Sequence, residues 1–595
     1  MTEPDEATNR RERWYLAAEI AAYAFAIIVV LGPALWHART ELVGAGNDSR
    51  YNAWLGWRMG RLIAHGHVLP FRVPDVTAPT GLDLRLIDGY LPYYVAGLLN
   101  VVMGPTLAHN LTYLIGATAN LLSARYLGRR LTTNRLVYTI GAIAFITAPP
   151  IALNVQQGLM SLFWVFPIPL LVAEALDVAR GRTVQPIRLA PLLFAAYLCS
   201  VYCLVFGSIA YGVIVVVAAI RRRDRAIPLR MLGAIGLTLL ALLPFLIPRI
   251  RSDRVNEKGL HTEISDFATI FSGDGLSIVA QPTRSTVLVP RPTTIVHSLQ
   301  RLLDPRNALE QTLFPGVLLL GGLVGLAFVK DLRRWPLLLA ALTIWILALG
   351  PSLKIGGHVL WTHGGRAVSW MPYRVLLAIP GLGSLRVPIR AGYALTAVLV
   401  AATVIALDHF VRAHADRTAF IGAGAGVLLA TNLLLPLPTT TLQVSTASTA
   451  ALREIARTAS RGDYVMGVPA DCNTSFPAYQ VYHHAAIVGC AGPPAANPWR
   501  TKLLPLVESA AFAKLRCDHA YYGWISTTAN PTDPVTATDL DALRRDFGVR
   551  YLIVNHDELT FCPAVRASLP TLARYRSLGG DSHLDVIDLA GASSS

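Results

Sequence analysis

Apolar stretches long enough to cross a lipid bilayer recur through this chain, and no other feature narrows its folding options as much. The first, Ala17 to Trp36, has the length of a transmembrane helix. Further candidates are 89–103, 107–128, 136–153, 160–177, 189–220, 229–248, 313–329, 335–350, 391–408 and 418–436. Charged residues make up 15% of the chain, where a soluble domain carries about 25%. A polytopic α-helical membrane protein is therefore expected. The polar start, Met1 to Arg13, leads into a full-length span with no small-residue cleavage site, so the first span is expected to be retained.

Net charge is +15, from 52 basic and 37 acidic residues. In a soluble protein that excess would suggest nucleic acid, but no nucleic-acid-binding motif is present. In a membrane protein basic residues gather in cytoplasmic loops. Arg10, Arg11 and Arg13 place the N-terminus inside, and Arg221-Arg222-Arg223, Lys330 to Arg334 and the 408–417 connection also read as cytoplasmic. Segments 37–88, 249–312, 351–390 and the C-terminal region are then expected outside. Two arrangements give that end point. Counting 189–220 once yields eleven crossings but leaves Arg129-Arg130 and Arg180 to Arg182 outside, against the charge rule. Splitting 189–220 near Ser200 and making 89–103 a re-entrant hairpin repairs both violations.

The texture changes near residue 440, which divides the chain into a membrane domain, 1–440, and a C-terminal domain, 441–595. Residues 449–462 read as a helix, Tyr464–Val468 and Val549–Val554 as buried strands, and 538–547 as a helix entering the second strand. A small extracytoplasmic α/β domain is expected, of ordinary size. Of six cysteines, Cys199 and Cys203 fall in an apolar span and read as buried hydrophobes. Cys472, Cys490, Cys517 and Cys562 lack zinc-site spacing; outside the cytoplasm they could form one or two disulfides.

Four constellations carry chemistry. Asp48, in Gly46-Asn47-Asp48-Ser49, follows the first span and precedes Tyr51, Trp54, Leu55, Met59, Leu62 and Ile63 at helical spacing, an amphipathic helix suited to the interface. Asp48 can serve as a general base toward an acceptor hydroxyl, or Asn47 or Asp48 can simply cap that helix. Loop 75–90 brings Asp83 and Asp88 to a membrane boundary, as functional carboxylates or as solvated and capping ones. Loop 351–390 holds Lys354, Arg366, Arg374, Arg386 and Arg390 with no Asp or Glu. Arg386-Val387-Pro388-Ile389-Arg390 opens a helix, so two arginines beside a helix N-terminus form a phosphate cradle, the alternative being arginines reaching lipid headgroups. The polar break Asn154 to Gly158 reads as a plain loop or a cavity lining. No P-loop, GxSxG elbow, HExxH or metal-ligand cluster occurs, and no cofactor or metal is expected. His483-His484 reads as surface.

Together the motifs resemble membrane glycosyltransferases of the GT-C class, most closely a bacterial branch that includes the lipoteichoic-acid-glycosylating type. The matching stretches are Gly46-Asn47-Asp48 with Trp54 to Trp57, Ala78 to Leu84, Gly104 to Asn110, Tyr126 to Arg130, Pro380 to Arg390 and Phe547 to Val554. The resemblance implies a polyprenyl-phosphate sugar as donor, a cell-envelope glycan or lipid as extracytoplasmic acceptor, and a catalytic carboxylate in the first outer loop, where Asp48 falls. It also implies donor binding by Arg386 and Arg390, with Asp88, Asp83 and Arg366 as further substrate-binding candidates. The Asn-Asp-Ser setting departs from the commoner Gly-Asp start, and no second acid adjoins Asp48, which argues against a metal requirement. The competing readings are a lipid-linked glycan flippase and a non-catalytic envelope-assembly protein. The candidates' place at the outer boundary, not mid-membrane, favours an enzyme.

Overall fold

The computed structural model describes residues 6–592, apart from 280–312, 489–503, 517–532 and the shorter stretches 77, 79–80, 225, 332, 356–357, 363–365, 368–370, 380–381, 383–384, 431, 433–438, 471–475, 508 and 560–561. Cys472, Cys490 and Cys517 lie outside the described residues. Backbone polar groups in lipid must be bonded internally, and the chain answers with helices. Among the described residues, five are long and apolar enough to cross a membrane: Glu12–Leu31, Met160–Ala179, Val201–Arg222, Ala226–Arg251 and Pro388–Ala413. Arg135–Thr147 and Pro149–Gln156 make a sixth when taken together, bent by 45°. The bend falls at Pro149-Pro150, which lack the N–H groups that would carry the helix through.

Contacts sort the helix ends onto two faces. On one, Arg130, Arg182 and Arg180 approach the Asp177 carboxylate at 3.3, 3.0 and 3.6 Å. Arg222 donates to the Val178 carbonyl at 2.9 Å, and Arg135 lies 3.7 Å from Glu12. Arg180 also feels Arg333. The basic clusters near residues 130, 180, 222 and 333 therefore share one face with the start of the first span.

Helix α1 (Glu6–Leu31) leads to the opposite face, where α2 (Gly46–Ala64) begins. Helix α3 (Tyr90–Val102) starts and ends there. Gly89, its N-cap, abuts Ser161 and the Cys199 carbonyl. Helix α4 (Pro105–Leu131) follows at once, and its Asn110 binds Val43 N–H at 2.9 Å. The 189–220 stretch is broken into Pro186–Cys199 and Val201–Arg222. Ser200 between them is extended (φ −171°, ψ 145°), and its hydroxyl accepts Tyr202 N–H. The split expected near Ser200 is therefore present, whereas 90–102 is one continuous helix and not the expected re-entrant hairpin.

The C-terminal region forms a four-stranded sheet from β1 (Tyr464–Val468), β2 (Val549–Asn555), β3 (Tyr575–Gly580) and β4 (Leu584–Ala592), in the order β3-β4-β2-β1. β1 and β2 are parallel; β4 runs antiparallel to β2 and β3. Period-two alternation buries both sheet faces. Tyr551, Ile553 and Val586 join the core of the helical body, while Leu552, Val554 and Ile587 form a second core with Leu540 and Leu543 of the helix Ala537–Phe547. The C-terminal region is tied to the segment between the first and third helices: Leu42–Val43 pairs with Thr439–Thr440, and Ala78 N–H donates to the Ile487 carbonyl at 2.9 Å. Cys199 and Cys203 are free and buried, and Cys562 is disulfide-bonded.

Candidate active site

Asp48 occupies the first turn of α2, but it does not cap it. The N-cap is Ala45, with no side-chain capping bond. Three residues further in, the carboxylate sits where the positive end of the helix dipole favours negative charge. Its surface is open to solvent, yet protein surrounds it, so it lines a recess. The enclosing protein raises its pKa above the usual carboxylate value, and Arg390 and then Arg386 pull it back down. Asp48 also acts electrostatically on Tyr51, Tyr93 and Tyr113. The Tyr51 hydroxyl is buried and has no hydrogen-bond partner among the described residues.

The amphipathic pattern of α2 finds protein where the sequence reading expected the membrane interface. Trp54, Leu55 and Met59 are fully buried. Trp54 Nε1–H donates to Gln480 Oε1 at 3.0 Å, and Trp57 stacks on His484 at 5.6 Å. Helix α2 is thus wedged between α3 and the C-terminal region. Lipid and protein interior are both apolar, so periodicity alone does not distinguish them. His483, expected at the surface, is buried.

The arginines come from the loop before the last long helix. Pro388 opens a 3-10 turn, Pro388–Ala391, that runs into Gly392–Ala413. Tyr373 holds the loop before that turn by donating its hydroxyl to the Leu385 carbonyl at 2.5 Å. Arg390 places its guanidinium over the Tyr202 ring, 4.6 Å from the centroid. Tyr202 feels Arg390, Asp88 and Arg386, which puts those three groups around one ring.

The structure therefore brings Asp48, Asp88, Arg386 and Arg390 together. Asp88 accepts the Ser200 hydroxyl and Val201 N–H, both at 2.8 Å, so it holds the helix break that presents Tyr202. Asp83 is engaged locally: it accepts Arg85 N–H at 3.0 Å and pairs with the Arg85 guanidinium at 2.6 Å. Arg366 belongs to a two-residue strand paired with Trp361–Thr362, and its side chain lies outside the described set. Lys354 is buried. No group of three or more metal-ligating side chains occurs among the described residues.

Two further contributors complete the site, one weighed from the sequence as a loop or a cavity lining and one not singled out there. The break Asn154 to Gly158 is the seat of the site. Ala45 N–H donates to the Gln156 carbonyl at 2.8 Å, and the Asn52 amide donates to the Gly158 carbonyl. Gly158 has φ +74°, and a Cβ there would fall 1.9 Å from Ser49 Oγ. At the other end of the break, Tyr393 donates its hydroxyl to Asn154 Oδ1 at 2.9 Å. One short segment thus grips both the Asp48 turn and the Arg390 helix. The second contributor is Arg249, buried, donating to the Leu86 carbonyl at 3.0 Å beside the Asp88 loop. An ionisable residue closing an apolar run was the signal available for it.

No protein-family model matches the chain, and no curated protein matches it in sequence. Solved structures do. The archaeal oligosaccharyltransferase AglB from Archaeoglobus fulgidus, in complex with an inhibitory peptide and a dolichol-phosphate, is 12% identical over 95% of this chain and 73% of its own, with a TM-score of 0.48. The arabinofuranosyltransferase AftD from mycobacteria is 15% identical over 98% of this chain and 40% of its own, at 0.49. ArnT from Cupriavidus metallidurans, bound to undecaprenyl phosphate, is 12% identical over 96% and 97%, at 0.46. These neighbours are GT-C glycosyltransferases. All three scores lie below 0.5, so the likeness assigns no role to any residue.

Proposed function

We propose that the chain is a GT-C-type glycosyltransferase that moves a sugar from a polyprenyl-phosphate donor to a cell-envelope glycan or lipid at the outer face of the cytoplasmic membrane. One observation carries the reading: a carboxylate raised by enclosure faces two arginines from a loop and helix start far away in sequence. In the reaction the acceptor hydroxyl attacks the anomeric carbon and loses its proton to Asp48. The bond between that carbon and the phosphate oxygen breaks, and the lipid phosphate leaves with one more negative charge. Arg386 and Arg390 neutralise that growing charge, and preorganised cations act most strongly where water is excluded. Asp88 positions Tyr202, on which Arg390 rests.

The basic face is assigned to the cytoplasm, since arginine clusters collect there. The site, the C-terminal domain and the disulfide at Cys562 then lie outside, where disulfides persist. On this reading the chain crosses the membrane eleven times, with α3 assigned to the outer boundary.

Membranes containing the protein, assayed against a panel of polyprenyl-phosphate sugars beside Asp48→Asn, test the activity. Transfer by the parent and its loss in the variant are expected; equal transfer by both removes Asp48 from the mechanism. A reporter that works only outside the cytoplasm, fused after Ser595, should be active. Activity of a cytoplasm-only reporter at that site overturns the orientation.

A further inference from the structure

A second cavity, of about 280 Å³, opens between the start of α2, the linker 441–445 and the C-terminal sheet. It lies at the carboxyl end of β2, beside Asn555 and Asp557. Ligands of open α/β sheets collect at the carboxyl ends of parallel strands, and β2 is parallel to β1. The location is therefore one where a sheet of this kind presents backbone ends and loop side chains to a ligand.

The lining divides into groups that build the cavity and groups that face it. Asp581 builds: Ser445, the N–H groups of His583 and Leu584, and Ser448 surround its carboxylate and hold it well below the usual carboxylate range. Arg50 reaches in from α2, with Nε–H donating to the Thr441 carbonyl at 2.9 Å. From the sheet side come His583 and Asp557, paired at 2.9 Å and both largely exposed. The Tyr479 ring completes the wall; burial pushes its hydroxyl up to about 12, so it remains a neutral donor.

These groups mix donors and acceptors with charges of both signs. Two carboxylates oppose Arg50, which disfavours a phosphate or other strong anion. A ring bearing several hydroxyls uses donors and acceptors equally, and an aromatic side chain supplies apolar area. We propose that this cavity is a saccharide-binding subsite that takes a neutral, hydroxyl-rich ring of the acceptor glycan. That the ring belongs to an acceptor rests on the glycosyltransferase reading; that the cavity binds a saccharide does not. Arg50 follows Asp48 by two residues, about 200° around the same helix turn. A glycan held here would sit roughly one helix diameter, about 10–12 Å, from the base.

The test uses the purified full chain in detergent micelles. Methyl α-D-mannopyranoside, methyl β-D-galactopyranoside and methyl α-D-arabinofuranoside are screened by saturation-transfer NMR, with inorganic phosphate as the anionic comparison. At least one glycoside should bind the parent and Asp48→Asn alike. The double variant Asp557→Ala/His583→Ala, on exposed side chains, should keep the parental unfolding temperature and bind about tenfold more weakly, the scale of two lost hydrogen-bonding groups. Arg50→Gln, on the opposite wall, should weaken binding as well. Absence of binding by every glycoside, binding unchanged in both sets of variants, or binding of phosphate in place of glycosides each overturns the subsite. If Asp48→Asn transfers sugar at the parental rate while glycosides still bind, the transferase mechanism fails and the subsite stands.

Discussion

Carboxylates meet arginines at both faces of the helical body, and the two meetings are built differently. On the basic face Asp177, 5% exposed at its side chain, collects Arg130, Arg180 and Arg182. Two of those three lie within five residues of it, and the ring knits short loops together. On the other face Asp48 feels Arg390 and Arg386, from a loop and helix start that reach it only through tertiary packing. The basic-face carboxylate is enclosed by its partners, whereas Asp48 remains open to solvent. A closed ring of charges serves the fold. A carboxylate and arginines that line a recess can exchange a proton and hold an anion.

Breaking the second arrangement should have the largest consequence. Asp48→Asn keeps the size of the side chain, and the helix loses no cap, so expression should be normal while transfer falls about a hundredfold or more, the scale of general-base catalysis. Radiolabelled sugar incorporation in membranes measures it. Replacing both Arg386 and Arg390 by Gln should weaken donor binding about ten- to a hundredfold, as loss of charge-assisted bonds does. It should also move the acid limb of the rate profile upward. The arginines lower the Asp48 pKa, so without them the base stays protonated to a higher pH. A limb that stays in place or moves down would separate the arginines from Asp48.

Gly158→Ala tests the seat that joins the two. A side chain at φ +74° is strained, and its Cβ displaces Ser49. Transfer should drop about tenfold, since small misplacements of a reacting group are costly. On the basic face, Asp177→Asn should lower stability by about 1–2 kcal/mol, because its arginines are partly solvated, and leave transfer per folded molecule unchanged. Thermal unfolding followed beside activity checks both halves. Asp83→Asn should have the smallest effect, within about twofold on transfer, because its pair with Arg85 is local and partly exposed. A tenfold loss would move Asp83 into the site.

Local signals were legible wherever chain neighbours decide the outcome. Strand β1 falls on Tyr464–Val468, and the helix before β2 runs Ala537–Phe547, because alternation and helix capping are short-range properties. The break at Ser200 was readable from an apolar run too long for one span. The roles of Asn154 to Gly158, Asp88 and Arg249 were not. A glycine in a polar break looks like any loop glycine until Ser49 is packed on it. A carboxylate at a helix mouth can bind substrate, cap a helix or lie in solvent, and only the structure shows its oxygens on Ser200 and Val201.

By itself the sequence determined the helical membrane body, two of the four strands that follow it and the acid and arginines worth testing, since hydropathy period and charge placement act over a few residues. Only the tertiary structure decided which apolar faces meet protein, which carboxylates are engaged as caps and pairs, and that Asp48 shares a recess with Arg386 and Arg390. Those outcomes depend on packing between segments hundreds of residues apart, where burial and electrostatics come from neighbours in space.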